Sequence, residues 1–209
     1  KHTSAAVRRA GVLTLRRLRD ERVAVFLADA DPSIAAEAAR AIHDERILGA
    51  LPALGAWTQR TGFAEIPLLR RALGAHRILG KGENLDALLS YAQRKDAPAS
   101  MRVEALRIIA EWPSPHGQDR VLGEWRPLRA RPAIGARVRT APMLHALAAD
   151  AETPGEVMRA ALETIARLRS FDCNAALETI AADRARDGET RALALRTLAA
   201  LGDAGARVR

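Results

Sequence analysis

An all-α fold, an α-solenoid of about five to six antiparallel helix pairs broken by one irregular insertion, is what this sequence predicts, on three observations. The first is a repeated apolar stripe. In Pro154 to Leu168, Val157, Ala161, Leu162, Ile165 and Leu168 share one side of a helix, and Thr190 to Leu201 repeats the shape 33 residues later with Ala194, Leu195, Leu198 and Leu201. The second is a column of small residues, Gly11, Ala38, Ala72, Ala105, Ala161 and Ala194, spaced 27, 34, 33, 56 and 33 residues apart. A small side chain there lets neighbouring helices approach closely. The third is composition. The chain is 48% hydrophobic, yet of its 209 residues only three Trp, one Tyr and three Phe are aromatic. Its core must therefore be Ala, Leu, Ile and Val, which suits close-packed helices better than a β-sandwich.

The elements follow in order. Lys1 to Leu18 reads as a helix with Val7, Gly11, Val12, Leu15 and Leu18 on its apolar face. Val23 to Ala28 is a short partner. Asp31-Pro32 then opens a helix from Ser33 to His43, since Pro fits the first helical turn. Ile34, Ala38, Ala39 and Ile42 fall in the columns of Val7, Gly11, Val12 and Leu15. Ile47 to Trp57 tolerates Pro52 near its start and precedes Ile66 to Leu79, whose face is Leu68, Ala72, Leu73, His76 and Leu79. Leu85 to Arg94 and Met101 to Trp112 make the next pair. Gly80-Lys81-Gly82 is a short turn between helices, and Gly202–Asp203 closes the last one.

A Pro-containing turn, a second helix with a small-residue column and a period in the thirties together are the pattern of HEAT-type repeats. The step of 56 leaves 23 residues beyond one period of 33, and they fall in a non-repeat insertion, 113–139. Pro113, Pro115, Pro127 and Pro132 break helices there. Such an insertion usually emerges on one face and often carries binding, so Trp125, Arg126, Arg129 and Arg131 are candidate contact residues; the alternative is a surface loop that packs Trp125 on its own array. Neither end carries an evident polar cap, so 1–209 reads as one repeat array within a longer polypeptide.

Chemistry is sparse. No apolar run reaches the length of a membrane span, and no signal peptide is evident. Cys173 is the only cysteine, which excludes an internal disulfide and, without a second Cys and a following His, a covalent haem within the chain. His2, His43, His76, His116 and His145 lack partners at metal-ligand spacing, and His76 lies in a core column. Neither GxSxG nor a phosphate-cradling Gly motif occurs. Asp20, Asp29, Asp31, Asp96, Asp150 and Asp203 stand at helix ends, where capping explains them. The residues give no catalytic, cofactor or metal site, and no small-molecule substrate.

The feature that stands out is basic. The net charge is +8, and only three of the 33 cations are Lys. On the second helices, the columns opposite the apolar stripe hold Arg9, Arg16, Arg40, Arg70, Arg77, Arg107, Arg159 and Arg196, joined by His43, with Glu163 the one acid. Second helices line the concave face of such arrays, so these residues form a candidate groove for an acidic domain or a phosphate backbone.

Three stretches resemble the HEAT region of large bacterial dehydrogenase-like proteins: Leu68 to Gly80, LLRRALGAHRILG; Met101 to Leu128, MRVEALRIIAEWPSPHGQDRVLGEWRPL; and Asp31 to Leu54. The run Arg120 to Leu128 is the most specific, and the resemblance weakens after Pro132. Such proteins join a sugar or sorbosone dehydrogenase-like propeller, a HEAT array and a haem-binding c-type cytochrome domain, and are exported to the periplasm. The resemblance implies a non-catalytic scaffold that positions redox domains and binds protein or its own neighbouring domains. The alternative is a nucleic-acid-binding HEAT protein of the DNA-glycosylase type using the basic groove. A third reading is a regulatory or lyase-type adaptor.

Overall fold

The computed structural model describes residues 2–62 and 65–206, without the side chains of Phe171 and 203–206. Ten α-helices and four 3₁₀ helices occupy the described residues, with no strand among them. The chain divides into two compact units: Lys1–Asn84 with His116–Leu128, and Leu85–Pro115 with Arg129–Arg209.

In the first unit, α1 (Ala5–Leu18), α2 (Pro32–Asp44) and α4 (Ile66–Leu79) pack in sequence, α1 on α2 and α2 on α4. Their partners are a 3₁₀ helix (Glu21–Ala28) on α2, and α3 (Leu51–Gly55), flanked by 3₁₀ turns, on α4. The turn into α2 is built as its residues dictate. Asp31 accepts a hydrogen bond from Ser33 N at 2.9 Å, and Pro32 is in the first turn. Asp29 is less a cap than an anchor, because Arg8 grips its buried carboxylate through Nε at 2.8 Å and Nη2 at 3.0 Å.

In the second unit, α5 (Gly82–Gln93) precedes α6 (Ala99–Ala110), and α6 packs on α8 (Gly155–Leu168), which packs on α10 (Gly188–Ala206). The long step between Ala105 and Ala161 therefore leaves no gap in the stack. The intervening residues leave as an excursion that returns as α7 (Ala133–Ala149) against α8, while α9 (Asn174–Ala182) lies on α10. Contact between α6 and α8 is close enough for Thr164 Oγ1 to donate to Leu106 O at 3.1 Å.

Ala38, Ala72, Ala105, Ala161 and Ala194 are all fully buried, as the small-residue column requires, and Gly11 is half-buried against Phe26. Several expected details differ. The helix Ile47 to Trp57 is a 3₁₀–α–3₁₀ succession, and the partner at 21–28 is wholly 3₁₀. Residues 133–139 belong to α7, so the irregular part of the insertion ends at Pro132. The α10 helix runs past Gly202 to Ala206. Leu195 is 57% exposed, and Val7 and Leu18 are exposed on α1. The reason is geometric: α1 and α10 each pack on one second-type helix among the described residues, so only part of the stripe is covered. Lys1 and the Asp203 side chain, expected at the first and last helix ends, lie outside the described residues.

Two stability predictions follow from this packing. Ala105→Leu or Ala161→Leu should cost about 1–3 kcal/mol by overpacking, whereas Leu195→Ala should stay within ~0.5 kcal/mol, both read by urea unfolding. Arg169, which ends α8 with φ 54° in the left-handed region, is exposed and gains nothing from its side chain there. Arg169→Gly should stabilise by about 0.5–1 kcal/mol, raising Tm by a few degrees.

Candidate functional site

The site grows from two helices of the first unit. On α2, Ile34, Ala35, Ala38, Ala39, Ala41 and Ile42 are spent on the core, which leaves Glu37, Arg40, His43 and Asp44 for other faces. On α4, Leu68, Leu69, Ala72, Leu73 and Ala75 are buried, and Arg70, Gly74 and Arg77 follow one another at helical spacing. Gly74 is what lets the helices meet here. A Cβ on it would lie 2.6 Å from His43 Nε2, so the imidazole rests directly on the α4 backbone.

Onto this pair the insertion folds back as a small hairpin, 117–126. One β-bridge joins Gln118 and Trp125. Asp119 N donates to Glu124 O at 2.7 Å, Arg126 N to Gly117 O at 2.7 Å and Gly123 N to Asp119 O at 2.8 Å. Gly123 turns the chain with φ 72°, a conformation that glycine adopts freely. The Asp119 carboxylate accepts from Val121 N and Leu122 N, both at 2.9 Å, an Asx-type turn.

Asp119 is also the most buried part of the hairpin, at 3% exposure. Its Oδ2 lies 3.9 Å from His43 Nε2, while His43 Nδ1 lies 3.1 Å from Asp44 Oδ1. Asp44 in turn takes a bidentate pair from Arg71, through Nε and Nη2 at 3.0 Å each. Arginines fasten the rest. Arg77 donates to the carbonyls of His116 and Gln118, Arg46 Nη2 to Arg126 O at 3.0 Å, and Arg126 Nη1 to Asp44 O at 2.7 Å. Burial alone would raise both carboxyl pKa values. For Asp44 the hydrogen bonds from His43 and Arg71 outweigh it, and for Asp119 the amides of Leu122 and Val121 do, so both lie below the ordinary 3.8.

Trp125 faces the other way. It is 73% exposed and its ring lies against Gly117, where a Cβ would come within 2.3 Å of the ring. The Trp125 and His116 rings are near-perpendicular, with centroids 6.3 Å apart. Its orientation is thus preset by a glycine.

The predicted basic groove is only partly a surface. Arg9 reaches Ser33 Oγ at 2.6 Å, Arg16 bridges Glu37 and Glu45 at 3.0 Å each, and Arg40 meets Glu37 at 3.2 Å. Arg70 is exposed. His43 and Arg77 are corrected: both are buried, because the hairpin covers them, and they hold the chain's own insertion. In the second unit Arg107 and Arg196 are exposed, while Arg159 leans toward Asp187 at 3.6 Å and Glu189 at 3.9 Å. Of the insertion candidates there, Arg129 is exposed, and Arg131 lies 4.3 Å over the Trp112 ring. Arg126, in the first unit, is half-buried and spent on Asp44 and Glu124.

Asp44, Arg46, Arg71 and Asp119 were not singled out by their spacing. An Asp four residues before a Gly signals the hairpin turn, but its partner His43 is 76 positions away in sequence, beyond any local pattern.

The second buried histidine has the packed role its column implies. His76 Nε2 lies 3.0 Å from both Gly55 O and Thr58 Oγ1, and Nδ1 lies 3.2 Å from Asn84 Nδ2. Burial pushes its pKa below 6.5, against a smaller opposing effect of the Gly55 carbonyl. A histidine depressed in the folded state is destabilised as pH falls below its unfolded value, because the unfolded chain binds the proton more tightly. Asp44 and Asp119 add a second loss at pH below 3.8, where protonation removes the ionised form their hydrogen bonds favour. Urea midpoints should therefore decline from pH 7 to 5 in the native chain, and His76→Gln should flatten that slope. An unchanged slope would place the loss elsewhere.

Among the described residues no three His, Cys, Asp or Glu side chains converge to hold a metal ion, and no helix is long and apolar enough to cross a membrane. No family model, curated protein or solved structure matches the chain. The site is a polar-fastened hairpin that holds a tryptophan in solvent on a helical-repeat framework.

Proposed function

We propose that this chain is a non-catalytic helical-repeat scaffold that engages protein partners or neighbouring domains. The observation that carries this reading is how its polar side chains are used. In the first unit His43, His76, Asp44, Asp119 and Arg77 are all buried or half-buried and engaged internally, while the most exposed large apolar side chain is Trp125, held at a fixed angle. An exposed aromatic whose ring is positioned by Gly117 and His116 is contact chemistry rather than reaction chemistry. The HEAT-type periodicity and the resemblance of 31–54, 68–80 and 101–128 to exported dehydrogenase-like proteins support one setting for such a scaffold, between a propeller and a cytochrome domain. Reading the gene on either side for a propeller and a CxxCH motif tests that setting.

A nucleic-acid reading draws support from the exposed Arg40, Arg70 and Trp125, and it is the one to test against. Its own logic demands steep salt dependence. With about six phosphate contacts, affinity should fall roughly 10³-fold between 50 and 200 mM salt. Fluorescence anisotropy with labelled single- and double-stranded oligonucleotides should instead show weak binding that Arg40→Glu, Arg70→Glu and Arg107→Glu together barely change. Tight, salt-steep binding abolished by those reversals would overturn the scaffold reading.

A further inference from the structure

The way the hairpin is attached is unusual for a covering segment. None of its apolar side chains is buried: Val121 and Leu122 are half-exposed and Trp125 stands in solvent. Its one deeply buried side chain is a carboxylate. Further fastenings include the hydrogen bonds that Arg46, Arg77 and Arg126 make to backbone carbonyls. An apolar plug would lose its burial on lifting, whereas polar contacts exchange for water at small net cost. The hairpin has a single bridge of its own, and a lone two-stranded ribbon is marginal in water. It belongs to the low-stability end of the molecule, above two helices packed deep in the core.

Beneath it, α2 and α4 present a matched set of groups. His43 Nε2 lies in contact range of the bare Gly74 backbone, and the guanidinium of Arg77 reaches up to the carbonyls of 116 and 118. The group that enters this set is one carboxylate at the start of a turn. We propose that His43, Gly74 and Arg77 form a carboxylate-receptor site which the chain keeps closed with its own Asp119, and that a peptide segment of a protein partner carrying an aspartate at the start of a turn takes the site when the hairpin lifts. The chemistry of the occupant is read from Asp119 itself: an aspartate whose carboxylate also caps the two following amides. This rests on the chain being a protein-interaction module. It adds that the principal contact is internal competition between two carboxylates.

Hydrogen exchange on the unmodified protein gives the first test. The amides of Asp119, Gly123 and Arg126 should exchange through local opening, at least about 100-fold faster than the α2 and α4 core amides. Exchange of all of them only with global unfolding overturns the proposal. The second test uses the capped peptide GQDRVLGEWR, the sequence of residues 117–126, as the probe. An occluded site loses apparent affinity in proportion to its closed fraction. The peptide should therefore bind Asp119→Ala protein at least about tenfold more tightly than the unmodified protein, and Arg77→Gln in that background should remove the binding. Its Asp119→Asn counterpart should bind at least about tenfold more weakly. Equal affinity for both proteins, or for both peptides, overturns the proposal. Should Asp119→Ala fail to fold, Asp119→Asn protein serves in its place, and the exchange measurement stands on its own. Local opening without peptide selectivity defeats the receptor site and leaves the scaffold reading intact. Salt-steep oligonucleotide binding defeats the scaffold reading and leaves the latch intact.

Discussion

Close approach of consecutive second helices governs what the rest of the molecule can do. Within each unit the helix axes meet at an alanine, Ala38 and Ala72 in the first, Ala105, Ala161 and Ala194 in the second, each with no exposed surface. A larger side chain at that column would separate the backbones and uncover the Leu and Ile beside it. Aromatic side chains enter this core at few places: Tyr91 is fully buried, and Trp57 and Trp112 are buried with an arginine over the face of each ring. The same closeness explains Gly74. Where His43 must lie against α4, even an alanine is too large.

That constraint shapes the electrostatics as well. Helices this close leave little room for long charged side chains between them, so cations are either directed outward or engaged at once. Arg16 is half-buried between Glu37 and Glu45, and Arg71 closes on Asp44. Pairing of this kind at the surface contributes modestly to stability. Its larger effect is on the field, since each such pair removes one positive charge from the face that the arginine count suggests. The arginine count therefore overstates the free positive charge that an approaching polyanion would meet on the first unit, whereas the net charge of +8 already subtracts the paired acids.

How far the fold was legible follows from the range over which each signal acts. The 3.6-residue stripe and the 33-residue step are local properties, and they placed the second helices within a few residues: α4 begins at Ile66 as expected, and α8 ends at Leu168. They erred where propensity alone had to decide between tight and regular turns, as in the 3₁₀ pieces around Pro52, and where a neighbour was assumed on both sides, as at Leu195. The site was less legible. Arg77 and His43 were found, but on the wrong account: their columns pointed outward, and only the return of a segment about 40 residues after Arg77 and 76 after His43 shows them to be covered. A periodic pattern records which way a residue points from its own helix. It carries no record of what folds over it.

The hairpin shows why that distinction bears on function. A repeat array can accept an insertion at little cost to its stack, because α6 packs on α8 whatever lies between them in sequence. The inserted residues are then free of the periodic constraint, and their composition differs accordingly: four prolines between 113 and 132, two glycines at 117 and 123, and a tryptophan that no core position demands. Glycine at 117 makes room for the Trp125 ring, and glycine at 123 lets the strand reverse. Asp119 then becomes the pivot on which both depend, since its carboxylate organises the turn on one side and meets His43 on the other. A residue with two such duties ties the shape of the hairpin to its attachment. Loss of the contact with His43 loosens the turn, and loss of the turn withdraws the carboxylate from α2 and α4. Coupling of that kind favours docking and release of the segment as one unit, which is what the proposed control of access to α2 and α4 requires.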